Sequence, residues 1–127
     1  MARRRKNGDV ILVHWHAEEA ESLGTELRKA DWKVRLGMPE LREVKADPPM
    51  AVVISLRRLP SHGRAVADAL WYTKWGRSIP IVFVDGLADK VEATRAKFPD
   101  ARFVDWADLP TVLQRVAAEN KSSSSRT

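Results

Sequence analysis

Two histidines, a Ser-His-Gly-Arg group and a few arginines and aspartates carry most of the chemistry in this 127-residue sequence. His14 and His16 lie two apart, so in extended backbone their side chains point the same way, and Asp85 would complete a metal set. No recognised ligand spacing such as HExxH supports that reading, and no metal or other cofactor is expected. Ser55, His62 and Asp85 supply the residue types for nucleophilic hydrolysis, but there is no G-x-S-x-G elbow to fix their geometry. Ser61, His62, Gly63 and Arg64 stand where a strand gives way to a helix. Backbone N–H groups there, with Arg57, Arg58 and Arg64 close in sequence, would suit a phosphate or carboxylate. The plainer alternative makes Ser61 a helix cap and has Asp85 or Asp105 neutralise the arginines across adjacent strands.

These residues depend on the elements that carry them. Residues 50–56 form an apolar run rich in Val and Ile, broken only by Ser55 and too short for a helix of its own. Such a run is the signature of a central parallel strand buried on both faces, with its carboxyl end delivered to the loop at 57–64. Residues 9–15 and 79–84 read the same way. Trp32–Leu36 alternates apolar and charged residues, as an edge strand does, and 101–104 is a short fifth strand. Between them lie helical patterns. Ala17, Ala20, Leu23, Leu27 and Ala30 form one apolar stripe, with acids early and bases late to match the helix dipole. A short helix follows Pro39, with Leu41 and Val44 inward. Val66, Ala67, Leu70, Trp71 and Trp75 mark a third, stopped by Gly76. The fourth, 88–98, is weakly apolar, with Val91, Ala96 and Phe98 as its best inward residues. Leu109, Val112, Leu113 and Val116 line the last.

Five β-α units with short connections give an α/β fold. The expected architecture is a single three-layer doubly wound domain with a five-stranded parallel sheet in the order 2-1-3-4-5. Ligands of such sheets bind at the carboxyl ends of the strands, where His14, His16, Ser55, Asp85 and Asp105 all fall. The expected boundaries are a disordered basic arm at 1–8, the domain at 9–118 and a Ser-rich flexible tail at 119–127.

Bulk composition narrows the functions. The formal charge is +5, but Arg3, Arg4, Arg5, Lys6, Lys121 and Arg126 lie in the two ends, and the remaining 16 basic residues nearly balance 17 acidic ones. A weak nucleic-acid contact through the arm is therefore all the charge offers. The absence of cysteine excludes disulfides and thiolate metal sites. No apolar stretch is long enough to span a bilayer, and a soluble cytoplasmic protein is the expectation. Neither G-x-G-x-x-G nor a P-loop occurs. Five tryptophans are many for this length. Trp71, Tyr72 and Trp75 sit within a turn and a half of helix and cannot all face the core. Tyr72 and Trp75, with Trp106 after the last strand, are the candidate interface residues.

The pattern resembles the receiver domain of bacterial response regulators. The local similarity lies in Ser55-Leu56-Arg57-Arg58-Leu59-Pro60 and Gly63, in Pro80 opening the fourth strand, and in Asp108-Leu109 opening the last helix. What the resemblance implies chemically is missing here. The family's metal-binding acid pair corresponds to His14 and Trp15, and its phosphoacceptor aspartate to Ser55 or Leu56. Its conserved hydroxyl corresponds to Asp85, its lysine to Asp105, and the proline after that lysine to Trp106. Aspartyl phosphorylation needs a carboxylate nucleophile, a carboxylate-bound metal and a cation for the phosphoryl oxygens. The reading is a non-catalytic, receiver-like protein-interaction or signalling domain that cannot be phosphorylated on aspartate and docks to a partner or to itself. The alternative is a small anion-binding or enzymatic domain using residues 61–64 with His14 and His16.

Overall fold

The computed structural model describes residues 8–14, 16–37, 40–56 and 60–124, the side chains of 60–64 and 120–124 excepted. Its strands are β1 (Gly8–Val13), β2 (Trp32–Leu36), β3 (Ala51–Ser55), β4 (Ile81–Val84) and β5 (Arg102–Val104). Its α-helices are α1 (Ala17–Lys29), α2 (Leu41–Ala46), α3 (Pro60–Trp71), α4 (Ala88–Lys97) and α5 (Leu109–Ser124). The strands pair in parallel in the order β2-β1-β3-β4-β5. The expected doubly wound fold is the one observed. No described helix is long and apolar enough to cross a membrane.

The two-residue period of a strand splits each central run between two cores. Val10, Leu12, Ala51, Val53, Val82 and Val84 face one side, where Leu27 of α1 and Leu109, Leu113 and Val116 of α5 cover them. Ile11, Val13, Val52, Ile54, Ile81 and Phe83 face the other, against Val44 of α2, Ala67 and Leu70 of α3, and Phe98 just after α4. All residues of β3 and β4 are buried. β2 sits at an edge with Trp32 and Val34 inward and Lys33 exposed, while Arg35 reaches Asp9 at 3.1 Å. Gly24 lets α1 approach this edge, since a Cβ there would stand 3.2 Å from Leu36. Asp31, at φ 70°, turns the chain from α1 into β2.

Several expectations need correction. Residues 61–64 are not a loop: α3 starts at Pro60 and takes them into its first turn. Proline suits the first helical position, because its φ is already helical and its missing N–H would have no partner there. α3 also ends at Trp71, before Gly76. Thr73 closes this end, its hydroxyl donating to Leu70 O at 2.8 Å and accepting from Gly76 N at 2.9 Å. Gly76 instead opens a 3-10 turn, Gly76–Ser78. On α4, Ala96 is exposed and Thr94 is fully buried, with its hydroxyl bonded to Lys90 O. Positions 91, 94 and 98 share a face, and 96 lies off it. Gly8 belongs to β1, and α5 continues to Ser124, so the helix covers 119–124. Serine costs only tenths of a kcal/mol in a helix interior.

A Cβ on Gly76 would stand 2.0 Å from Leu70 O and 2.4 Å from the Thr73 hydroxyl. Gly76→Ala is expected to lower stability by about 1–3 kcal/mol in urea denaturation, the range for overpacking. Ala96→Ser should stay within about 0.5 kcal/mol. An unchanged midpoint for Gly76→Ala would refute this account of the α3 terminus.

Candidate functional site

The carboxyl edge of the sheet is where the chemistry was expected, and its described side chains are mostly occupied with holding the backbone. β1 ends at Val13, and the His14 side chain is fully buried against the start of α1. Its Nδ1 accepts from His16 N at 3.0 Å, and its Nε2 lies 3.2 Å from the Glu19 carboxylate. His16 is the N-cap of α1, with Nδ1 accepting from Glu19 N at 3.4 Å. The two histidines therefore form one hydrogen-bonded helix start rather than a pair facing open space. Asp85 follows β4, two strands away from β1, or about 10 Å at ordinary strand spacing. Among the described residues no group of three His, Asp or Glu side chains is placed to hold a metal ion.

At the end of β3, Ser55 is 6% exposed and pairs with Val84. Leu56 is 2% exposed, and its N–H continues the ladder to Val84 O at 3.0 Å. Its side chain is packed onto Gly86, where an added Cβ would stand 2.8 Å from Leu56 Cβ. Gly86 has φ 103°, so a side chain there would be strained as well as crowded. Leu56 thus packs on Gly86 where β3 and β4 end.

Asp85, at φ 60°, donates its N–H to Val104 O at 3.0 Å. Its Oδ1 accepts from Trp106 N, also at 3.0 Å. The aspartate thereby caps the 3-10 turn Trp106–Asp108 that leads into α5. Asp105 is exposed and makes no side-chain cap bond, though its carbonyl accepts from Asp108 N. Trp106 packs on the α1/α5 core, and its indole N–H donates to Glu26 on α1. It works as a clamp between α1 and the last turn. Arg57 and Arg58 lie outside the described residues, as do the side chains of Ser61, His62 and Arg64 and the whole of Trp15. Tyr72 is 88% exposed and Trp75 half-buried, near the opposite edge of the sheet.

The sequence reading missed a cleft of about 470 Å³ between α4, β5 and α5. Phe103, Val104 and Val112 give it apolar surface, Asp85, Asp105 and Asp108 crowd one sign of charge into it, and Arg95 and Arg115 supply the other. Phe103 stacks on Phe83 with ring centroids 5.1 Å apart, and the Arg95 guanidinium lies 4.7 Å above Phe103. The available signal was the weak apolar stripe of α4, which cannot fully cover a three-residue edge strand. What the cleft offers is shape and mixed charge. No described nucleophile and base are paired in it.

No protein-family model and no curated protein matches the chain. Solved structures do match. A signal receiver domain of a signal transduction histidine kinase from Syntrophus aciditrophicus is similar at 19% identity and TM-score 0.73, over 94% of each chain. A sensor protein from Polaromonas sp. JS666 is 20% identical with TM-score 0.72, covering 90% of this chain and 98% of that one. A response regulator from Chloroflexus aurantiacus J-10-fl is 16% identical with TM-score 0.71, covering 89% and 99%. At these identities the likeness is one of fold, and the fold is that of a receiver domain.

Proposed function

We propose that this protein is a receiver-like signalling domain that works in the cytoplasm by docking to a protein partner, without aspartyl phosphorylation. The observation that carries the reading is the end of β3. The position where the receiver pattern calls for a phosphoacceptor falls on Ser55 or Leu56; both are buried, Leu56 packs on Gly86, and neither is a carboxylate. A phosphoryl group needs a carboxylate to form the acyl phosphate and a metal to offset its charge. At that position the carboxylate is replaced by a serine or a leucine, and the matching acid pair by His14 and Trp15. His14 is already spent on the start of α1, with bonds to His16 and Glu19. Asp85 and Asp105 stand where the receiver pattern has a hydroxyl and a lysine, which puts negative charge where the phosphoryl oxygens would be.

The anion-binding or enzymatic reading of residues 61–64 with His14 and His16 loses both histidines to the α1 turn. Self-association remains open to the same docking surfaces, of which the α4–β5–α5 cleft is the one built at an uncovered sheet edge. The basic arm plays at most a weak, salt-sensitive part in this account.

Beryllofluoride with Mg²⁺ mimics an aspartyl phosphate, and adding it to the ¹⁵N-labelled protein should leave the amide signals of Leu56, Asp85 and Asp105 in place. Shifts at those residues with a bound fluorine resonance would overturn the proposal. Leu56→Asp should not create a phosphoacceptor. It should lose about 2–5 kcal/mol of stability, the range for emptying a buried leucine site, and take up no phosphate from acetyl phosphate. A Leu56→Asp variant as stable as the parent and labelled by acetyl phosphate would contradict it.

A further inference from the structure

A second surface lies on the α2/α3/α4 side of the sheet, where α3 and α4 end. The segment Trp71-Tyr72-Thr73-Lys74-Trp75-Gly76-Arg77 leaves α3 there, and a cleft of about 440 Å³ opens between it and the last turn of α4. Trp71 and Phe98 line the cleft in edge-to-face contact at 5.3 Å, and the exposed Tyr72 forms a wall. Among the described residues the buried Trp71 indole N–H meets no acceptor, an unusual state for such a donor. Arg77 is fixed in place, its Nε donating to Trp71 O at 2.8 Å.

The charge here is uneven. Lys97 is paired with Asp68, but Lys74 and Arg77 are exposed and meet no carboxylate among the described residues. Two unneutralised cations beside Trp, Tyr and Phe match the composition of protein-interface anchors, in which Trp, Tyr and Arg dominate binding energy. A row of phosphates would ask for more free cations than two. A second copy would have to bring its acid-rich α4–β5–α5 cleft, where Asp85 is already bonded to Trp106 and Arg95 and Arg115 oppose the acids. Such a head-to-tail contact would also leave a free end on every assembly.

We propose that this corner binds an acidic segment of a partner protein. An apolar or aromatic residue of the segment would sit against Trp71, Tyr72 and Phe98, and its carboxylates would pair with Lys74 and Arg77. The inference rests on the docking function proposed above and names the chemistry of the partner.

The test uses the full ¹⁵N-labelled chain and a short peptide with a central Phe-Leu pair between runs of Asp and Glu, together with its Lys-for-acid counterpart. The acidic peptide should shift the Trp71 indole N–H and the amides of Tyr72, Lys74 and Arg77, while the basic one should not. Tyr72→Ala and Lys74→Glu, both at exposed positions, should each weaken binding by about tenfold or more, equivalent to ~1.4 kcal/mol. Leu87→Ala, an exposed apolar residue at the other edge of the sheet, should leave binding unchanged. Absence of shifts, equal shifts from the basic peptide, no loss in the two variants, or binding of a thymidine oligonucleotide at the same signals would overturn the inference. So would a molecular mass that rises with concentration and falls to the monomer value in Tyr72→Ala. A beryllofluoride response would strike the phosphorylation-independent reading alone, and a silent corner would strike this inference alone.

Discussion

Two-sided burial of β1, β3 and β4 is the constraint on which the rest of the structure depends. Once these strands lie inside the sheet, alternate residues must be apolar toward both layers. The chain then has to return over each face to cover them. Val10, Leu12, Val53 and Val84 require α1 and α5, and Ile11, Ile54, Ile81 and Phe83 require the other three helices. Each fully buried side chain of this kind contributes about 1.5–3 kcal/mol relative to an exposed one. Loops are consequently confined to the two edges of the sheet. That confinement brings the polar residues of the connections to those edges, whether or not they act on a ligand.

At the carboxyl edge His14, His16, Asp85 and Trp106 serve the local structure. His14 and His16 organise the entry to α1, Asp85 caps the turn before α5, and Trp106 ties that turn to Glu26. Leu56 on Gly86 extends the hydrophobic core one residue beyond β3, between the ends of β3 and β4. The frame is a receiver-like fold, and these described side chains at its carboxyl edge are engaged in capping and packing. Clefts open between α4, β5 and α5 and at the ends of α3 and α4.

Much of the fold was legible in the sequence because two-sided burial writes itself as unbroken apolar runs, and an edge strand as alternation. The stripes of α1 and α5 were equally readable. The ends of α3 were not. At its start, Pro60 competes between breaking a strand and opening a helix, and only the tertiary path decides. At its finish, Gly76 signals a stop, but the Thr73 hydroxyl supplies one a turn earlier. The site was legible in position and misleading in chemistry. Residue types such as His14, His16 and Asp85 fit a metal as well as they fit a cap, and the difference lies in hydrogen bonds that no spacing encodes. The α4–β5–α5 cleft stayed hidden because an uncovered edge is recorded only as a weak stripe on the helix beside it.

We propose that the ends of β1 and β3 hold no cation and no phosphoryl group, His14 being taken up by capping bonds and Leu56 by packing. Paramagnetic relaxation by Mn²⁺ tests it directly, because a metal seated beside the ends of β1 and β3 would broaden the amide signals of His14 and Leu56 first. Near-equimolar Mn²⁺ should leave those two signals as sharp as the rest of the sheet. Selective loss of His14 and Leu56 would contradict the account.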